Sequence, residues 1–196
     1  MPLDRDSLTL ERLRPIITFV VVIWVIQFAN FALGYRPNIW FGLEPRDLGG
    51  LVGIPLSPLL HGGFKHAAAN TVPLLILGGM AVMASPKRFV EATLIIVFVG
   101  GALVWLLARG GFRVHVGASG LVFGYFGYIV ALGVVERSFR AILFAAAALM
   151  LYGGLIMGIL PNDPRVSWES HLFGALAGVA AAWMLRSDRG ATPHVT

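Results

Sequence analysis

Six long apolar runs constrain the fold of this chain more than any other feature of its sequence. Each is long enough, or nearly so, to cross a hydrocarbon core, which takes about 20 helical residues. Of the 196 residues, 57% are hydrophobic and only 13% are charged, so a bilayer is the expected solvent. The sequence therefore predicts an all-α membrane protein, a six-transmembrane-helix bundle. The runs lie at 16–33, 66–84, 89–108, 119–135, 141–160 and 171–185.

The predicted membrane domain spans 16–186, between a short cytoplasmic N-terminal segment (1–15) and a polar C-terminal tail (187–196). A signal peptide is the alternative for the first run, but that run is too long for an h-region and lacks a small-x-small cleavage site. The long loop at 35–65 is too apolar for a solvated linker and too broken for a span. We expect it to lie in the membrane interface. The absence of cysteine excludes disulfides, thiolate metal ligands and a cysteine nucleophile.

The net charge of +5 is not a nucleic-acid signature, because the fifteen Lys and Arg residues are scattered among apolar runs. They are interpreted as topology signals and contacts to lipid headgroups. With the N-terminus inside, the cytoplasmic segments hold nine of these cations and the outer segments six, which predicts that both termini are cytoplasmic. The cytoplasmic set is Arg5, Arg12, Arg14, Lys87, Arg88, Arg137, Arg140, Arg186 and Arg189, and the outer set is Arg36, Arg46, Lys65, Arg109, Arg113 and Arg165.

Polar side chains stand at the start of three predicted spans. They are His66 and Asn70 in the second, Ser119 in the fourth and His171 in the sixth. Polar groups are costly in lipid, so they indicate function. At about 1.5 Å per helical residue, Ser119 stands roughly 24 Å, and Asn70 and His171 roughly 22 Å, above the cytoplasmic ends of their spans. In a core about 30 Å thick, this predicts one water-accessible cavity that opens outward.

Glycine pairs predict that the fourth and sixth spans lie close together. Gly120 and Gly124 form a small-xxx-small face on the fourth span, and Gly174 and Gly178 form another on the sixth. Such faces let two helix backbones approach each other in lipid. Although the pattern is common, here it stands directly beside the one serine within a span.

The residues of this cavity suit nucleophilic catalysis. A serine hydroxyl needs a base within hydrogen-bond reach, and an imidazole titrates near neutral pH, so Ser119 is the candidate nucleophile and His171 its base. His66 and Asn70 are four residues apart and share one helix face, where both can donate to an oxyanion. The backbone N–H of Ser119, at a helix N-terminus, is a third donor. Glu169 does not share a helix face with His171 and receives no catalytic role.

Other chemistries fit these residues less well. An aspartyl protease needs two aspartates within spans, whereas every Asp lies at an end or in a loop. A zinc protease of the HExxH type is excluded, because no histidine is followed by Glu. His61, His66 and His171 could in principle bind zinc, but Asn70 and Ser119 would then have no role. A transporter or channel would need polar groups running across the membrane, whereas these cluster toward one face. We expect His115 to face water in the loop before Ser119.

Three motifs, in order, resemble those of the rhomboid family of intramembrane serine proteases. They are HAAAN at 66–70, GASG at 117–120 and HLFGALAG at 171–178, which match the family's HxxxN, GxSG and HxxGxxxG on its second, fourth and sixth helices. The resemblance covers 40–185. The Trp-Arg dipeptide that many members carry in the first loop is absent, since Trp40 and Arg46 stand apart.

The resemblance implies Ser119 as nucleophile, His171 as base, and His66 and Asn70 in the oxyanion site. His61 matches a histidine often present before the second helix, and Phe123 matches an aromatic residue that packs on the catalytic histidine. The implied substrates are transmembrane helices with a locally unstable segment, which enter sideways past a mobile fifth helix. No metal or cofactor is implied. The implied location is a prokaryotic plasma (inner) membrane. The alternative is a catalytically silent member that binds membrane clients.

Overall fold

The computed structural model describes residues 5–110, 114–161 and 166–186. Within these residues, the predicted spans form six long helices, which confirms the predicted fold class. By length and composition, the first five of these described helices can cross a membrane. The sixth has 17 residues, slightly fewer than a full span of about 20. The helices are α1 Arg5–Ala32, α2 Phe64–Ala84, α3 Pro86–Leu107, α4 Ser119–Glu136, α5 Phe139–Ile159 and α6 Trp168–Met184.

The helix ends differ from the predicted spans where polar residues cap or extend a helix. The helix α1 includes Pro15, so residues 5–15, which precede the first apolar run, are helical. Ser85 starts α3 by accepting a hydrogen bond from the backbone N–H of Arg88. Ser138 starts α5 in the same way. Hydropathy alone does not predict these helix-capping serines. The predicted tail at 187–196 lies outside the described residues, as do Arg113, Arg165 and Arg189.

The helix α4 forms the centre of the bundle. In its most apolar stretch, 61% of the residues are buried, against 11% in α5. Tyr125 and Tyr128 are fully buried, and the hydroxyl groups of Tyr125 and Thr93 are 2.8 Å apart. At the end of the bundle where α4 finishes, Arg88 pairs with Glu136 and joins α3 to α4. The helix that carries Ser119 is therefore enclosed by its neighbours.

The predicted glycine contact between α4 and α6 is confirmed. A Cβ placed on Gly174 would lie 2.2 Å from the backbone oxygen of Gly120, and one on Gly178 would lie 1.9 Å from that of Gly124. Both distances are far shorter than a van der Waals contact, so only glycine permits this separation of the two backbones. The close crossing fixes how near His171 on α6 can lie to Ser119 on α4.

The loop between α1 and α2 contains the short helical segments Arg36–Phe41 and Gly49–Leu59. Arg46 anchors the loop to α3, because its Nη1 donates to the carbonyl oxygen of Ala108 at 2.7 Å. A cation at a helix C-terminus is favourable for the helix dipole. Trp40 is 55% exposed and Leu48 is 78% exposed, as an interfacial loop requires. The interfacial location stays a prediction.

Candidate active site

The predicted site residues line one cavity of about 660 Å³ at the end of the bundle where α2, α4 and α6 begin. His66 and Asn70 come from α2, Ser119 from α4 and His171 from α6. The end of α5 completes the wall with Gly154, Leu155 and Gly158. Residues far apart in sequence are thus brought to one cavity inside the helical bundle.

Ser119 is the first residue of α4, as predicted, so its backbone N–H has no partner within the helix. The turn before it depends on Gly117, whose φ is +123°. The N–H of Gly117 donates to the carbonyl of Ser57 at 2.9 Å. A Cβ at this position would lie 2.7 Å from the ring of His66. Glycine is therefore required both by the backbone conformation and by the approach of the imidazole.

His171 is held on both its ring face and its ring edge. Phe123 stacks on it with ring centroids 4.0 Å apart and planes inclined by 8°, as the resemblance implied. The Nδ1 atom of His171 lies 2.9 Å from the carbonyl oxygen of Gly158. Because a carbonyl only accepts, this bond requires a proton on Nδ1 and leaves Nε2 as the acceptor of a neutral ring. Among the described residues, no hydrogen bond joins Ser119 to His171, although both line the cavity.

His66 and Asn70 converge on the turn that precedes Ser119. Asn70 donates one amide N–H to the carbonyl of His66 at 3.2 Å, and its second amide N–H remains available to a ligand. The position of a Cβ on Gly117 is 2.8 Å from Nε2 of His66 and 3.8 Å from Nδ2 of Asn70. Both side chains thus carry potential donors to within a few ångströms of the GASG turn.

His61 supports this turn from behind the cavity. It is fully buried, its ring lies edge-on to that of His66 at 5.0 Å, and its Nε2 accepts a hydrogen bond from the backbone N–H of Ala118 at 3.2 Å. Burial lowers the pKa of His61 to about 4. The ring is therefore neutral at pH 7, which the acceptor role of Nε2 requires.

The expectation that His115 faces water is wrong. Only 8% of His115 is exposed, and its backbone forms an antiparallel bridge with Leu43. Its Nδ1 contacts the hydroxyl of Ser167, which is 2.7 Å from that of Ser170. The bridge and the serines bury the ring because the loop before α4 packs against both the first loop and the start of α6. A second cavity, of about 50 Å³, lies on this side of Ser119.

An ion pair beside His171 was not predicted from the sequence. The Nε atom of Arg109 lies 2.5 Å from Oε1 of Glu169, and its Nη2 lies 3.2 Å from Oε2. The hydrogen bond to Glu169 raises the pKa of Arg109. The available signal was charge at two adjoining helix ends, Arg109 just after the third apolar run and Glu169 just before the sixth.

Fold and site together define a class: a multi-pass membrane protein with Ser119, His66, His171 and Asn70 gathered in a cavity between its helices. The family model of the Rhomboid domain matches residues 49–188. This match covers most of the chain, and the chain belongs to the rhomboid family. The resemblance carried by the three motifs is thereby confirmed.

Three relatives illustrate the range of the similarity. An uncharacterized protein of Mycobacterium tuberculosis is 38% identical over 177 residues, which cover 87% of this chain and 73% of that protein. RHOMBOID-like protein 5 of Arabidopsis thaliana is 33% identical over 132 residues, or 64% of this chain and 41% of that protein. YdcA of Bacillus subtilis, named as a candidate rhomboid protease, is 22% identical over 198 residues, or 90% and 91% of the two chains.

Proposed function

We propose that this protein is an intramembrane serine endopeptidase that cleaves transmembrane-helix substrates near the outer membrane face through a Ser119–His171 dyad. The proposal rests mainly on the tautomer of the His171 ring. Its Nδ1 bond to Gly158 leaves Nε2 as a proton acceptor, and the ring lines the same cavity as Ser119. A base in this state is what a serine nucleophile needs.

In the acylation step, Nε2 of His171 removes the proton from Ser119 as its Oγ attacks the scissile carbonyl carbon. The C–N bond then breaks, and the proton on Nε2 passes to the departing amine. Water, deprotonated by the same nitrogen, hydrolyses the acyl-enzyme and regenerates the serine. The Ser–His hydrogen bond that this cycle needs is expected to form when substrate is bound, because catalytic hydrogen bonds are often loose in the free enzyme.

The oxyanion formed during attack requires donors aimed at one point. The backbone N–H of Ser119, the free amide N–H of Asn70 and the ring of His66 are the candidates. Removing one donor of this type costs about 3 kcal/mol of transition-state stabilisation. His61 contributes indirectly by holding the Ala118 N–H at the turn.

The cavity walls suggest how a helical substrate reaches the serine. The cavity lies between α2 and the last turns of α5, which form a 3-10 helix over Gly153–Ile159. A Cβ on Gly153 or Gly154 would meet nothing within 4 Å. The open space beside these two glycines supports lateral entry past this part of α5. We further propose that both termini are cytoplasmic, in a prokaryotic plasma membrane.

Cleavage of a reporter tests the proposal. The purified protein in liposomes, with a single-span reporter whose helix is destabilised by Gly or Pro, should give two fragments. Ser119→Ala and His171→Ala should abolish cleavage. Ser57→Ala is the matched control, since Ser57 is joined to the GASG turn through its carbonyl and not its hydroxyl. Reporter that binds but stays intact with the wild type would refute the proposal and favour the silent client-binding alternative.

A further inference from the structure

Two described residues between α3 and α4 contact the start of α6, the helix that carries His171. Arg109 lies just after α3, and His115 lies four residues before Ser119. Arg109 binds Glu169, and His115 contacts Ser167. Both partners lie within four residues of His171 along the chain.

The Arg109–Glu169 pair is the stronger of these two connections. Two nitrogens of the Arg109 guanidinium donate hydrogen bonds to the two carboxylate oxygens of Glu169. The backbone N–H of Arg109 also donates to Oε1 at 3.4 Å. Glu169 is only 2% exposed. A buried carboxylate needs a charged partner, and a bidentate pair fixes direction as well as distance. The negative charge also suits the N-terminal end of α6.

Further contacts fix both sides of the pair. The guanidinium of Arg109 lies over the ring of Trp168, 5.7 Å from its centroid, so it contacts two consecutive residues of α6. On the other side, Arg46 binds the carbonyl of Ala108, the residue before Arg109. The backbone at Arg109 is thus fixed to the first loop, and the ion pair in turn restrains the start of α6.

We infer that Arg109 and Glu169 are positioning residues for the dyad: their ion pair fixes the first turn of α6 against the end of α3, and so sets His171 relative to Ser119. This inference rests on the proposed function. Glu169 is two residues from His171 on one helical turn, so rotation or fraying of that turn moves the imidazole. Neither residue lines the cavity that holds Ser119 and His171.

The inference predicts a loss in kcat and not in substrate affinity. In liposomes with the helical reporter, Arg109→Gln and Glu169→Gln should each lower kcat per folded molecule about 10- to 100-fold, since misplacement by about 1 Å has effects of that size. KM should stay within about twofold. The double variant should lose no more than either single variant, because partners that act through each other are not additive.

Lys65→Gln is the matched control, because it removes another cation near this end of the bundle from an exposed site away from α6. It should leave kcat unchanged. Melting temperature and gel filtration define the folded fraction. If a glutamine variant yields no folded protein, Arg109→Lys carries the test: it keeps the charge but loses the bidentate fork, and kcat should fall at least about threefold.

Failure of the proposed function can be distinguished from failure of the positioning role of Arg109 and Glu169. A wild type that does not cleave the reporter overturns both the proposed function and this inference. An active wild type whose Arg109 and Glu169 variants keep its kcat overturns the inference alone. A lowered melting temperature with unchanged kcat per folded molecule, or additive losses in the double variant, would also overturn it, because the pair would then serve stability only.

Discussion

Replacing Gly178 by alanine adds one methyl group at the contact between α4 and α6. This substitution tests whether the close crossing of the two helices positions the candidate site. The α-carbon of Gly178 faces the backbone oxygen of Gly124, and a Cβ built there lies 1.9 Å from that oxygen and 2.7 Å from the carbonyl carbon. Both neighbours are main-chain atoms of a buried helix, so no flexible side chain can move aside. Gly178→Ala must therefore push α6 away from α4.

The structure gives the size of this displacement. An ordinary contact begins at 3.4 Å, so the alanine methyl is about 1.5 Å too close to the Gly124 oxygen. Overpacking of this kind costs about 1–3 kcal/mol of stability. His171 lies two turns before Gly178 on the same helix, and misplacement of a reacting group by about 1 Å can cost about 100-fold in rate. We expect activity to fall more than stability.

Thermal unfolding in detergent and the rate of labelling by a fluorophosphonate measure the two effects. Gly153→Ala is the matched control, because a Cβ there meets nothing within 4 Å and the residue has a helical φ of −55°. Gly178→Ala should melt lower and label about 100-fold more slowly than this control. Equal melting temperatures and labelling rates for the two variants would refute the argument from the α4–α6 crossing.

Three further predictions follow from individual residues. Phe123→Ala removes the ring stacked on His171 at 4.0 Å and should slow labelling about tenfold; an unchanged rate would contradict the role of the stack. Burial lowers the pKa of His61 from 6.5 to about 4. The contribution of neutral His61 to folding stability is therefore complete above pH 6.5 and should be lost as the pH falls toward 4, because the unfolded chain binds the proton first. His61→Asn should show a smaller drop in melting temperature over that interval. In this cysteine-free chain, a cysteine replacing Lys65 should react with an impermeant maleimide from outside only, and one replacing Lys87 from inside only; the reverse pattern would invert the topology.

The sequence was sufficient for the parts of the site that local patterns define. Ser119 stands at the first residue of α4, as the glycine-flanked start of an apolar run predicted. The close approach of Gly174 and Gly178 to α4 followed from their four-residue spacing. Helical periodicity placed His66 and Asn70 on one face of α2, and both line the cavity. These features depend on residues near one another in sequence.

What the sequence did not predict depends on pairs of loop and helix-end residues brought together by the fold. Arg109 and Glu169 are 60 residues apart; Arg109 alone is interpreted as a topology signal, and Glu169 alone receives no catalytic role. His115 is buried because the first loop bridges it at Leu43, a contact that no periodicity encodes. Arg46 likewise anchors the first loop to the end of α3, although no tryptophan directly precedes it in the sequence. Such contacts follow from tertiary packing, which hydropathy does not describe.

The central claim is that His171 activates Ser119. Mass spectrometry of the protein after reaction with a fluorophosphonate measures this directly, because the adduct mass identifies the modified residue. We expect one adduct, on Ser119, whose formation is lost in Ser119→Ala and slowed at least about 100-fold in His171→Ala. An adduct on another residue, or undiminished labelling of Ser119 in His171→Ala, would contradict it.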